Sequence, residues 1–271
     1  FAETFGRPIA ALLVALYVVS SVFGIATIAA GLGQYLAYFA LGELRTLEVA
    51  IIAGFLVINR IGVTLSGVTE NALSLVKVGA IALMIALLAP FVHGANFVPS
   101  ELPSTPTLLA VVIIVFWPFT GFEISAIPIA ETKDPRRIAR ALLLVMVFVC
   151  VVYLALNVVL IGAVGSADLA ASPAPVAYAL GLVFPGSGGF VAIVGIVTML
   201  SALNAYIVGA SRVLHGGAEL LGITLLTRLS KRGVPGAALD VACGAAALML
   251  LVSNRFDALA AASVVTTLVP Y

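Results

Sequence analysis

Charged residues are scarce in this sequence. Only 9% of its 271 residues are Asp, Glu, Lys or Arg, whereas 63% are hydrophobic. A soluble domain usually carries roughly 25% charged residues. The formal net charge is only +1, so there is no basic excess to attract nucleic acid. These values exclude a soluble globular protein and a nucleic-acid-binding protein, and they predict a polytopic membrane protein.

Cysteine and histidine are also rare. The two cysteines, Cys150 and Cys243, lie within apolar runs, so we expect packing residues rather than a disulfide or a metal site. The two histidines, His93 and His215, are predicted on opposite sides of a membrane. The sequence offers no intramembrane set of metal ligands and no nucleophile with a base beside it. We therefore expect no cofactor, no metal site and no enzyme.

The sequence also lacks an initiator methionine and a signal-peptide pattern. It begins at Phe1, a few residues before an apolar segment, and stops at Tyr271 inside another one. We therefore expect a fragment of a longer polypeptide.

Long apolar segments fill most of the chain, and charged residues separate them. A membrane-spanning helix needs about 20 mainly apolar residues. The pattern predicts a single all-α transmembrane domain over residues 1–271 with eight spans. The predicted spans are 8–36, 46–62, 69–93, 107–131 (broken near 117–121), 139–164, 188–212, 236–253 and 257–271.

Basic residues are distributed unevenly between the two sides that eight spans define. Arg45 and Arg255 fall on one side, and Lys77 falls within a span. The other ten of the 13 are Arg7, Arg60, Lys133, Arg136, Arg137, Arg140, Arg212, Arg228, Lys231 and Arg232, on the side of residue 1. Cytoplasmic loops are enriched in Lys and Arg. Accordingly, the segments expected in the cytoplasm are the residue 1 end and loops 60–68, 132–138 and 213–235.

One predicted span is interrupted. Within 107–131, Pro118 and Gly121 disfavour a continuous helix, and Glu123 follows two residues later. In lipid, interrupted backbone is stable only where it is buried in protein or lines a wet cavity. Such segments are a strong sequence indication of a transporter substrate site. The alternative is an ordinary proline-kinked helix in which Trp117 only packs.

Three more polar residues lie within predicted spans. Lys77 is either a functional intramembrane cation or a side chain that extends its ammonium group to the cytoplasmic surface. Ser201 and Asn204 are three residues apart and therefore share a helix face. They either line a polar cavity or hydrogen bond to another helix.

Several motifs match one family in order along the chain. The main one is FWPFTGFE at 116–123, followed by the loop ETKDPRRIARA at 131–141. Further matches are FGRP at 5–8, the NRIG turn at 59–62 that leads to Lys77, and the Ser211-Arg212 pair followed by 228–235. With these motifs the chain resembles the amino acid, polyamine and organocation (APC) transporter superfamily, of the amino acid permease or antiporter type.

The resemblance implies a LeuT-like fold of two inverted five-helix repeats, with substrate held near the membrane midplane between two broken helices. Family members have about twelve spans, and this chain resembles about the third to the tenth. The fold is therefore expected to be incomplete, without the first two helices, one of which supplies half of the substrate site, and without the last ones.

The resemblance also implies residue roles. Trp117 matches an aromatic residue that closes over substrate, and Glu123 matches a carboxylate proposed as proton-linked. Lys77 resembles a lysine that places an ammonium group where relatives bind sodium. The residues expected to contact substrate are Trp117, Thr120, Gly121, Phe122, Glu123, Ser201 and Asn204, and those expected to couple ions or protons are Lys77 and Glu123.

These features together predict a secondary active transporter of amino acids or related amines in the cytoplasmic membrane. We expect sodium-independent alternating access, coupled to protons or to exchange of a counter-substrate. The alternatives are a passive channel, a membrane-embedded enzyme, or a fragment that is inactive by itself. The sequence does not specify the substrate or an oligomeric state.

Overall fold

The computed structural model describes residues 6–40, 44–62, 67–98, 104–121 and 135–270. Within these ranges the chain is helical and contains no β-strand, as the predicted all-α fold class requires. Three short 3₁₀ helices cover Ala89–Phe91, Gly94–Phe97 and Trp117–Phe119. The α-helices are α1 (Arg7–Ala37), α2 (Leu44–Ile61), α3 (Gly67–Leu88), α4 (Thr105–Phe116), α5 (Pro135–Val164), α6 (Ser166–Ala171), α7 (Pro175–Val183), α8 (Gly188–Leu221), α9 (Gly236–Val252) and α10 (Phe256–Leu268).

Four helical stretches in the described part are long and apolar enough to cross a membrane: Arg7–Ala37, Ser74–Phe91, Ala139–Val164 and Gly188–Leu221. Shorter apolar helices cover Thr105–Phe119, Gly236–Val252 and Phe256–Leu268. Long apolar helices of this kind define a multi-pass membrane protein. That each of the eight predicted segments crosses the bilayer stays a prediction.

The long helix α1 is the centre of the bundle and packs against α8, α10, α9 and α2. Its middle is built from small buried residues, among them Gly24, Ala26, Ala29 and Gly31. Small side chains let helix backbones approach closely, which is the main source of packing energy between helices in lipid. Larger buried side chains in the same core come both from α1, such as Ile25, and from its neighbours, such as Leu203 of α8.

A second apolar cluster lies where α7 covers parts of α5 and α8 and the end of α3. Leu88, Val159, Leu180 and Val191 are buried there. Outside these clusters, large apolar side chains are exposed along α3, α4 and α5. An apolar outer surface is what contact with lipid requires.

Two helices extend beyond the predicted membrane segments. α5 begins at Pro135, four residues before the predicted start, and proline is favoured in the first turn because it needs no amide donor there. α8 continues to Leu221, beyond the predicted end at 212, and stops where Gly222 adopts a left-handed conformation with φ 71°.

Candidate functional site

The backbone leaves the α-helix after Phe116 within the interrupted segment. Trp117–Phe119 forms one 3₁₀ turn, and both the amide and the hydroxyl of Thr120 donate to the carbonyl of Trp117, at 3.0 and 2.7 Å. Thr120 is extended (φ −87°, ψ 155°), and Gly121 has φ 88°. The Thr120 hydroxyl therefore bonds to the carbonyl of Trp117, which has lost the amide partner that a continuous helix would provide.

Tyr206 of α8 lies directly against this break. Its hydroxyl donates to the carbonyl of Thr120 at 3.4 Å. A Cβ on Gly121 would lie 2.5 Å from the Tyr206 hydroxyl oxygen, and a Cβ on Gly24 of α1 would lie 2.5 Å from Cε1 of the same ring. The ring thus occupies a slot that exists because two glycines, far apart in the sequence, have no side chain.

A small polar cavity opens beside the Tyr206 ring. Its volume is about 10 Å³, roughly the space of one water molecule. The residues that line it are Tyr17, Ser20, Ser21, Thr120, Gly121, Tyr206 and Thr267. None of these lining residues carries a formal charge at neutral pH, so the cavity presents hydroxyl and backbone groups from α1, the break, α8 and α10.

The α1 and α10 walls of the cavity are joined by a buried hydroxyl cluster. The Ser20 hydroxyl donates to the carbonyl of Ser263 at 3.0 Å and also contacts the Thr267 hydroxyl. The Ser263 hydroxyl in turn donates to the carbonyl of Ser20 at 3.2 Å. These reciprocal bonds satisfy the buried polar groups and hold α10 against α1.

Trp117 lies beside the cavity but is not part of its lining. Its ring meets Phe256 of α10 edge to face, with centroids 5.4 Å apart, and it contacts the core around α1. The indole Nε1 is buried and has no hydrogen-bond partner among the described residues. A buried donor is normally satisfied, so this N–H is available to a further acceptor.

Phe256 is flanked by an exposed ion pair at the start of α10. The guanidinium of Arg255 donates to Asp257 at 2.7 Å. The side-chain hydrogen bond to Asp257, followed by its charge, raises the pKa of Arg255 above its usual value. Arg255 therefore stays charged next to Phe256, the residue that Trp117 contacts.

Lys77 and Ser201, both selected from the sequence, meet in the structure. The half-buried ammonium of Lys77 on α3 donates to the Ser201 hydroxyl on α8 at 2.7 Å. One turn along α8, Asn204 accepts from the Asn59 amide of α2 at 2.8 Å. Ser201 and Asn204 therefore do share one face, which hydrogen bonds to neighbouring helices and does not line the cavity described above.

Phe122 and Glu123 lie outside the described residues. The structure thus brings Thr120 and Gly121 together at the cavity, places Trp117 beside it, and places Lys77, Ser201 and Asn204 at a separate contact between helices. The roles assigned to all seven substrate-contacting residues and to Lys77 stay predictions.

Two residues absent from the sequence predictions stand out in the structure. Tyr206 packs at the break, and only the folded positions of Gly24 and Gly121 reveal it. Glu48 of α2 is 2% exposed although it is acidic. A carboxylate inside the predicted span 46–62 was a signal for it in the sequence, because ionisable residues within spans are rare and functional by default.

The bundle of apolar helices, with an interrupted segment beside a polar cavity, defines a multi-pass membrane protein of the transporter class. The chain belongs to the amino acid permease family, whose sequence profile it matches over residues 1–271. Membership of a permease family indicates a transporter and not an enzyme.

The chain is also similar to the L-methionine/branched-chain amino acid exporter YjeH of Escherichia coli (strain K12). The two are 25% identical over 240 residues, which cover 85% of this chain and 56% of the exporter. The chain thus spans about half the length of this relative.

Proposed function

We propose that this chain forms part of a secondary transporter of neutral amino acids, with the substrate held at the break next to Tyr206. The observation that carries the proposal is the interrupted backbone at 117–121, whose polar groups face an uncharged cavity in an apolar bundle. Helix interruptions inside transporters present backbone amides and carbonyls to a ligand. The inverted-repeat fold implied by the family would supply the missing wall from its first broken helix.

The residues of the break have distinct proposed roles. Thr120 and Gly121 present backbone groups at the cavity, and we propose that Phe122, the next residue in the sequence, contacts substrate as well. The Trp117 indole N–H, which lacks a partner among the described residues, would turn from Phe256 to the substrate and close over it. Glu123 would contact the substrate and exchange the coupled proton, as the family resemblance suggests.

Lys77 supports sodium independence in the proposal. Its ammonium bridges α3 and α8 through Ser201. A fixed positive charge between α3 and α8 repels a sodium ion. The ammonium group would then hold the two helices together in place of a bound sodium ion. Transport would then be driven by protons or by exchange of a counter-substrate during alternating access, with Asn204 fixing the neighbouring contact to α2.

The proposed substrate is an amino acid with an uncharged side chain. The described residues of the cavity lining contribute hydroxyls and backbone groups and no formal charge, which suits a zwitterion without a charged side chain. The exporter similar to this chain is named for L-methionine and branched-chain amino acids, and we propose the same substrate class here.

Counterflow in liposomes tests this function. The complete polypeptide would be reconstituted with unlabelled L-methionine inside, and labelled L-methionine would be added outside without sodium. We expect saturable accumulation, competed by L-leucine but not by L-arginine. Unsaturable flux would indicate a channel, and absence of any flux with all these amino acids would reject the proposal. The 271-residue chain alone is expected to be inactive, because the family resemblance implies that a second broken helix supplies the other half of the site.

A further inference from the structure

Glu48 is a buried acid that the proposed substrate site does not use. It lies one turn inside α2 and is 2% exposed. Its Oε2 is buried without a hydrogen-bond partner among the described residues. The carboxyl rests on the backbone of α1, because a Cβ on Gly33 would overlap Oε1 and lie 2.7 Å from Cδ. A glycine at position 33 is therefore what makes room for this acid.

The nearest cation on its own helix does not pair with Glu48. Arg45 lies one turn earlier, and its guanidinium donates at 3.4 Å to the carbonyl of Leu251 and to Oδ1 of Asn254, at the end of α9. The Arg45 charge is thus held at the exposed end of the bundle, above the buried carboxyl.

The titratable groups on the packed helices are also engaged elsewhere. On α1, Tyr35 packs against Gly195 of α8. On α9, Cys243 is buried in the core, and Asp240 pairs with Arg60 near the opposite end of α2. The hydrogen bond between α8 and α2 is at Asn59, eleven residues and so about 16 Å along the helix from Glu48. The titratable groups of α8 (Tyr206, Arg212, His215 and Glu219) follow that contact along the chain.

An ionised carboxylate in this position would be buried with only the charge of Arg45, one turn away, to offset the loss of water, which is a costly state for such a group. The protonated acid is neutral and has one O–H donor besides its acceptor oxygens. A metal ion would need several further oxygen ligands, and the described part of the chain holds no group of three or more His, Cys, Asp or Glu residues that would bind one. The proton is therefore the cation that fits.

An open depression lies on the same turns of α2 as Glu48. Its volume is about 420 Å³, and it is lined by Arg45, Thr46, Val49 and Leu251. Thr46 and Val49 flank Glu48 in the sequence. The depression is therefore the candidate route by which a proton reaches the acid.

We propose that Glu48 is a proton-binding site. Its carboxyl carries a proton while α2 packs against Gly33 and exchanges it with water in the depression at Arg45, so that its protonation is linked to the closeness of α1 and α2. The O–H bond forms with a proton from that water and breaks by returning it. Proton binding at Glu48 does not depend on the proposed function. A role for this proton in driving transport does rest on it.

Infrared difference spectroscopy of the complete protein in lipid tests the site directly. The spectrum of wild type minus Glu48→Gln should contain the C=O stretch of a protonated carboxyl at neutral pH. Glu219→Gln, which removes an acid with a 63% exposed side chain on α8, is the matched control and should leave that band in place. If the Glu48→Gln difference contains no such band at neutral pH, the proposal is wrong.

Gly33→Ala supplies a second variant that keeps the acid. The new methyl group would displace the carboxyl, so we expect the protonated band to be lost and to return only at acidic pH. Gly54→Ala on α2, where a Cβ meets nothing within 4 Å, should leave the band unchanged. A band that survives Gly33→Ala at neutral pH would overturn the link to helix packing.

Transport separates this inference from the proposed function. If the protein transports L-methionine, Glu48→Gln should weaken the pH dependence of net uptake while exchange continues, because the proton proposed at Glu123 remains. An unchanged pH profile would reject a coupling role for Glu48. If no amino acid is transported, the proposed function fails, whereas the infrared band still decides whether Glu48 binds a proton.

Discussion

The side chain of Tyr206 occupies the space in which any side chain at position 121 would lie. Its hydroxyl donates to the carbonyl of Thr120 at 3.4 Å, and a Cβ on Gly121 would be 2.5 Å from the same hydroxyl oxygen. This aromatic ring and this glycine therefore form a close contact between α8 and the break.

Gly121→Ala is expected to destabilise the protein. The φ of 88° is strained for alanine by about 1–3 kcal/mol, and the methyl group also displaces Tyr206. Thermal unfolding in detergent should show a lower midpoint than wild type, and amino acid counterflow should fall at least tenfold. Gly79→Ala on α3, where a Cβ meets nothing within 4 Å, is the control. Equal midpoints for the two variants would contradict this contact.

Lys77→Met is expected to abolish counterflow, because it removes the charge that bridges α3 and α8. Ser201→Ala keeps the charge and removes only its acceptor, so it should be milder. A hydrogen bond to a charged group contributes about 1.5–3 kcal/mol, which corresponds to a loss of about tenfold or more. Initial rates in sodium-free liposomes measure both variants. If Lys77→Met retains the wild-type rate, Lys77 has no role in transport.

The Asn59–Asn204 pair is expected to stabilise the contact between α2 and α8 modestly. Hydrogen bonds between helices in membranes contribute on average about 0.6 kcal/mol. Asn59→Ala and Asn204→Ala should each lower unfolding stability by about that amount or somewhat more, since each leaves a polar group unpaired. The double variant should cost less than the sum of the two. Additive losses in a double-mutant cycle would show that the pair is not coupled.

The Arg60–Asp240 pair, by contrast, should contribute little. Both side chains are about half exposed, at 54% and 42%, and exposed ion pairs contribute about 0–1 kcal/mol. Arg60→Gln should change the unfolding midpoint only slightly, and less still at high salt, where screening is stronger. A large, salt-independent fall in the unfolding midpoint would mean that the pair contributes more to stability than its exposure indicates.

The all-α fold class was predictable because the length of apolar segments reflects the thickness of the bilayer. Pro118 and Gly121 likewise located the end of α4, since local backbone chemistry determines it. The slot for Tyr206 was not predictable, because it depends on Gly24 and Gly121 meeting in three dimensions. Glu48 was missed because Arg45 lies one turn away. Two charged residues near the end of a predicted span look like residues at the membrane–water interface. Only packing against Gly33 distinguishes a buried acid from an interfacial one.

Trp117 is part of the proposed substrate site, and its fluorescence tests this placement most directly. Trp117 is the one tryptophan of the sequence, and its signal in the complete polypeptide is the difference between wild type and Trp117→Phe. As L-methionine is titrated, this signal should change and saturate at the concentration that half-saturates counterflow. Saturable counterflow without any change in the Trp117 signal would contradict the placement of the substrate at the break.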